Sequence, residues 1–219
     1  MNKELVIAAH SMDLSWVKSL NSDVKVTIYR KGENINNDNE IFLDVNVGRC
    51  VHTFFKHILT NYDNLSDYTF FVQDYPFDHW LNVVDTINGD INTITSNSTL
   101  TFDGYFGYHI RDIKEFFLIN TNHFNGGSVL TCDSIGAPHD PNRGIDVDRY
   151  WNILFDGPCP DVYEFIPGGH FGITKENVKL RSIEFYNKVV ELLETEHIAP
   201  WIIERLECYI FSKNYKTKL

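Results

Sequence analysis

Residues 46–78 read NVGRCVHTFFKHILTNYDNLSDYTFFVQDYPFD: a glycine-led loop, an amphipathic helix, and an apolar strand ending on a carboxylate. Val51, Phe54, Phe55, Ile58 and Leu59 recur at the spacing of one buried helix face. Residues 61–64, Asn-Tyr-Asp-Asn, stop that helix, and Tyr68–Gln73 follows as a strand with Asp74 at its carboxyl edge. Upstream, residues 4–9 are a short apolar strand and His10–Asp13 a loop. Leu14, Val17 and Leu20 then share a helix face, with Asp13 as its cap. Val24–Tyr29 alternates as a second strand, 31–40 is a polar loop, and 41–47 is a short extended segment closed by Gly48. The order β-α-β-β-α-β predicts an α/β fold: an open mixed sheet, mostly parallel, with helices on both faces. Ligands of such sheets sit beyond the carboxyl ends of the strands. The loops at 10–13, 48–50 and 74–79 share that rim.

Downstream, residues 80–160 are less regular and rich in aromatics, among them Tyr105, Phe106, Tyr108, Phe116, Phe117, Tyr150 and Trp151. They read as an elaborated substrate-binding half, not a separate domain. Val162–Ile166 is a strand leading into the corner Pro167-Gly-Gly-His170. Tyr186, Val189, Val190 and Leu193 mark one helix face, and a last helix runs from about Trp201 to Phe211. The expected organisation is one domain over 1–211, with a nucleotide-binding half (1–79) and an acceptor half (80–211). A basic, loose tail or linker follows at 212–219.

The chain carries a net charge of −11, which disfavours nucleic acid as a partner, since phosphate backbones demand clustered Lys and Arg. A small anionic ligand then needs a local device, and Arg49, Lys31 and a helix N-terminus are the nearest cations. No run approaches the roughly 18 apolar residues of a membrane helix, so no membrane span is expected. Four scattered cysteines without a C-x-x-C pair fit a reducing cytoplasm.

Three stretches carry the chemistry. Gly48 lets a ligand approach the backbone, and Arg49 at the helix start favours phosphate by charge and dipole. Asp74 and Asp78 are hard oxygen ligands suited to magnesium or manganese, or else they cap the following turn. The glycine corner sets His170 where a neutral imidazole completes an aspartate metal site, or merely caps a turn. On the last helix, Ile202, Leu206, Tyr209 and Ile210 form the buried face, with Glu204 roughly opposite. Glu204 is a solvated glutamate or a general base aimed into an acceptor cleft. His139-Asp140-Pro141 reads as a turn, and no G-x-S-x-G, P-loop or G-x-G-x-x-G occurs.

Taken together, Asn46-Val-Gly-Arg49, His52-Thr53, Phe71-Val-Gln73, Pro76-Phe-Asp78-His79, Pro167-Gly-Gly-His-Phe171 and Glu204-Arg-Leu206 resemble a glycosyltransferase-like family. That family occurs in fungi, bacteria and large viruses. The chain is also similar to the N-terminal domain of chlorella-virus members that glycosylate the major capsid protein, which would place it in a host cytoplasm. More widely it resembles GT-A enzymes, with their Rossmann-like sheet, although Gln73-Asp74-Tyr75 replaces their Asp-x-Asp. The resemblance implies a manganese- or magnesium-dependent transfer from a UDP-sugar, glucose-like or rhamnose-like, to a glycan or glycoprotein acceptor. It implies a nucleotide-sugar site of His10, Ser11, Asp13, Tyr29, Gly48, Arg49, Gln73, Asp74, Gly168 and Gly169. The metal ligands would be Asp74, Asp78 and His170; Glu204 would be the base of an inverting transfer, with Asp78 the competing catalytic carboxylate. Two rivals remain: a metal-dependent phosphoester hydrolase using the same residues, and a non-catalytic glycan-binding module with platforms at Tyr105, Phe106 and Tyr108.

Overall fold

The computed structural model describes residues 1–32, 38–78, 80–90, 100–102, 105–107, 117–120, 146–159, 162–165 and 169–219. For Asp78 and the strand residues within 100–120 and 162–165, the description is of the backbone alone.

The expected strands form at 3–9 (β1, Lys3–Ala9), 24–30 (β2, Val24–Arg30), 40–42 (β3, Glu40–Phe42) and 68–73 (β4, Tyr68–Gln73). They lie in the order β3-β2-β1-β4, all parallel. The helix read from the apolar spacing is α1, Arg49–Thr60. The helix expected after Asp13 is only a 3-10 segment, Ser15–Ser19. Three apolar positions give it too little surface to bury for a longer helix to be stable. A second 3-10 turn, Pro76–Asp78, leads into α2, Val83–Asn88.

Beyond β4 the sheet turns antiparallel. After β5 (Leu100–Phe102), β6 (Tyr105–Gly107), β7 (Phe117–Asn120) and β8 (Val162–Phe165) comes β9, Phe171–Thr174, which pairs with β4. The full order is β3-β2-β1-β4-β9-β6-β5, half its pairings parallel and half antiparallel, while β7 and β8 form a separate two-stranded sheet. Gly169 and His170, the end of the glycine corner read from the sequence, lead directly into this strand of the main sheet.

Alternate residues of β1 and β4 serve two cores. After α3 (Val147–Leu154) and the short α4 (Lys175–Val178) come α5 (Ile183–Thr195) and α6 (Ala199–Ile210); Val6 and Phe71 face α1, α5 and α6, where α3 also packs. Leu5, Ile7, Phe70 and Val72 face Trp80, Val83 and Ile87 on the other side. Both faces of the sheet are covered, as parallel strands require.

Helix α6 is enclosed nearly all round, and of Trp201–Ile210 only Glu204 is partly exposed. Buried Arg181 caps its C-terminus, donating to the carbonyls of Tyr209, Ile210 and Ser212. The basic tail at 212–219 is docked, not loose. Thr217 bridges Phe155, Lys218 N–H donates to Leu154 O, and the Tyr215 ring packs edge-on against Trp151 and Tyr209. Its lysines made it read as loose; the Tyr215 ring and the backbone pairing pack it against α3 and α6. No helix among the described residues is long and apolar enough to cross a membrane.

Candidate functional site

The sheet order places β1 between β2 and β4; the connection from β1 to β2 packs on one face of the sheet and the crossover from β3 to β4 through α1 on the other, so a crevice opens at the strands' carboxyl ends. A cavity of about 150 Å³ occupies that crevice. Ala8, Ala9 and His10 line it from the end of β1, where two alanines leave room that larger side chains would fill. Gln73 and Asp74 contribute from the end of β4, and Lys31 from the end of β2. Asn46 and the first turns of α1, through Arg49, Cys50 and Thr53, close the remaining side. The volume is below the roughly 300–1,000 Å³ of a pocket that swallows a whole ligand. It fits one polar group of a larger molecule lying across the rim.

Asp74 organises the rim. Its Oδ2 accepts the backbone N–H groups of His10, Ser11 and Met12 at 3.0, 3.1 and 3.0 Å, and its Oδ1 accepts that of Tyr75 at 3.1 Å. Burial pushes this carboxyl's pKa up, but the four backbone hydrogen bonds outweigh it and hold the value below the ordinary one. The indole of Trp16 donates to the Asp74 carbonyl at 2.9 Å, fastening the 3-10 segment to the end of β4. Arg30, paired with Glu40, donates to the carbonyl of His10 at 2.9 Å from the other side.

The start of α1 is strained. Gly48 has φ +65°, and a Cβ there would meet the Cβ of His52 at 2.5 Å. Arg49 follows at φ +53°, the one non-glycine residue with positive φ among those described. Such outliers concentrate at functional sites. The Arg49 guanidinium lies over the ring of Trp201, 5.3 Å from its centroid, which ties the α1 start to α6. One helical turn further along α6 stands Glu204. The Cys50 thiol is pushed up to about 12 chiefly by burial and next by the Glu204 carboxylate, with Arg49 and Lys31 opposing.

Of the residues expected from sequence, His10, Arg49, Gln73 and Asp74 line one cavity. Gly48 is the α1 N-cap residue, Ser11 lends its N–H to Asp74, and Asp13 accepts from Ser15 within the 3-10 segment. Gly169 has φ +64°, and a Cβ built there would lie 3.4 Å from Cys50 Sγ and 4.0 Å from Gln73 Nε2, beside the cavity wall. Tyr29 is not at the rim. Strand alternation turns it under α1, where its hydroxyl meets His57 Nδ1 at 3.2 Å inside the core. His170 is buried immediately before β9. Gly168, His79, Tyr108, Phe116, His139, Asp140 and the side chain of Asp78 lie outside the described residues, as do those of Tyr105, Phe106 and Phe117. Among the described residues, no three metal-ligating side chains cluster. Cys50 and Thr53 also line the cavity; the sequence placed 48–50 at the rim and His52-Thr53 in the resembling motif but named neither as a site residue. Their signal was two small polar side chains one and four residues after Arg49, on a helix otherwise scored for its apolar face.

The sequence model of the family described as "Protein of unknown function (DUF3431)" matches residues 5–218. No curated protein and no solved structure matches the chain.

Proposed function

We propose that this chain, which belongs to the DUF3431 family, is a metal-dependent glycosyltransferase of GT-A-like fold that uses a UDP-sugar donor and a glycan or glycoprotein acceptor. One observation carries the reading: a cavity at the switch point of the sheet, walled by Lys31, Arg49 and the N-terminus of α1, in a protein of net charge −11. Concentrating cations there suits an anionic group such as a diphosphate. The limited cavity volume leaves the sugar and the acceptor to lie across the rim, toward α6 and Glu204.

Asp74 tests the fit of a cation. Among the described residues, three N–H groups take up its Oδ2, whereas Oδ1 accepts one, which leaves lone pairs for a hard ion. Manganese or magnesium held through Oδ1, with Asp78 and His170 as further ligands, would neutralise the departing diphosphate. Arg49 binds the donor's anionic part, aided by the helix dipole. Glu204 takes the proton of the acceptor hydroxyl as the sugar transfers, in an inverting reaction. The bond to the diphosphate breaks, the bond to the acceptor oxygen forms, and the proton ends on the Glu204 carboxylate.

Calorimetry with UDP, with and without manganese, tests this reading alongside a search for transfer from UDP-sugars to glycan acceptors. Tighter UDP binding with manganese and acceptor-dependent release of UDP are expected. Rapid release of free sugar without any acceptor would favour the phosphoester hydrolase, and sugar binding indifferent to nucleotide would favour a glycan-binding module.

A further inference from the structure

The inner wall of the cavity holds a cation that, among the described residues, has no partner of opposite charge within ion-pair distance. Lys31 is 5% exposed, and its Nζ donates to the carbonyls of Val47 at 2.6 Å and Arg49 at 2.7 Å. Both acceptors are neutral, and an ammonium has three hydrogens to give. Among the described residues, Lys31 forms no salt bridge. Its carbonyl partners also set it beside the N-terminus of α1, the positive end of a helix whose N-cap is a glycine without a capping side chain. Two positive features thus stand together. Burial pulls the lysine's pKa down to about 8, while Cys50 and Glu194 act the other way. The charge is held at a cost that an anion would relieve.

A second observation points into the same space. Thr53 is fully buried, lines the cavity, and among the described residues its Oγ1 has no hydrogen-bond partner. Buried hydroxyls are nearly always satisfied, so an orphan in a cavity wall marks a ligand position. Thr53 lies one turn beyond Arg49 on α1, on the side that carries Cys50 toward the cavity.

We infer that Lys31, Thr53 and the first turn of α1 form a direct phosphate subsite, gripping a phosphoryl group of the ligand without a metal ion. The ammonium supplies the charge, the hydroxyl and the free helix N–H groups supply directed donors, and the Val47 and Arg49 carbonyls fix the ammonium in place. The subsite deepens the proposed reading, on which it rests for the identity of the ligand as a nucleoside diphosphate sugar. It assigns the inner phosphoryl group to the chain itself and leaves Asp74 to the outer rim.

The test is calorimetry in chelator with inorganic pyrophosphate, UDP and uridine, on the full chain and on Lys31→Met and Thr53→Val. The second variant is isosteric and leaves the lysine untouched, so it reports even if the first folds poorly. Pyrophosphate and UDP should bind the parent without metal. Lys31→Met should weaken both by about tenfold or more and Thr53→Val by about three- to tenfold, as lost bonds to a charged group imply. Parent-like binding of both probes by both variants would overturn the subsite, as would a parent that binds neither. UDP binding that requires manganese and ignores Lys31 overturns the subsite and leaves the glycosyltransferase reading standing. Lys31-dependent pyrophosphate binding without any UDP binding supports the subsite and removes the nucleotide.

Discussion

Replacing Asp74 by asparagine keeps the side chain's size and removes its charge. In the native protein four backbone N–H groups converge on this one carboxylate, three of them from the consecutive residues His10, Ser11 and Met12. Hydrogen bonds to a charged group are worth about 1.5–3 kcal/mol against roughly 1 for a neutral pair. The loop is exposed, so water replaces part of what is lost, and the asparagine amide also turns a donor toward one N–H. We expect Asp74→Asn to cost about 2–3 kcal/mol, a fall in Tm of about 4–12 °C for a chain of this size. The sign of the pH dependence follows from the depressed pKa. The carboxylate's contribution is complete above the unfolded-state value and is lost as pH falls through the lower folded value. Urea unfolding of both proteins at pH 7 and near pH 3 measures this directly. The gap at neutral pH should shrink in acid as the parent loses its own charge. An asparagine variant as stable as the parent at pH 7, or a gap indifferent to pH, would refute the view that this carboxylate holds the rim together.

Two further outcomes are expected. Gly48→Ala forces a Cβ to within 2.5 Å of His52 and a left-handed backbone on an L side chain, so it should destabilise by about 1–3 kcal/mol or more in urea unfolding; an unchanged midpoint would mean that the start of α1 is not held as described. Glu204→Gln should keep parent UDP affinity by calorimetry and transfer sugar about 10²–10⁴-fold more slowly. A near-normal rate would move the base to Asp78 or to a carboxylate in the 80–160 segment.

The parallel half of the fold was legible because its signals are local. Period-3.6 apolar spacing located α1 within two residues, apolar runs located β1 and β4, and alternation located β2, since burying those faces is what makes the elements form. The rim loops could be grouped from element order alone, and so His10, Arg49, Gln73 and Asp74 were named before their contacts were known. Three-dimensional packing settled the rest. Phe171–Thr174 has no pattern marking it as the antiparallel partner of β4, because pairing is a contact between segments a hundred residues apart. Tyr29 looked like a rim residue until strand alternation put it beneath α1. The residue type at Asp74 announced a carboxylate at a strand end, but only the fold of the His10–Met12 loop over it shows that backbone N–H groups occupy most of that carboxylate. Lys31 and Thr53 acquire their meaning the same way. A lysine after a strand and a threonine in a helix are ordinary in sequence, and only the fold brings one buried charge and one buried hydroxyl into the wall of the same cavity.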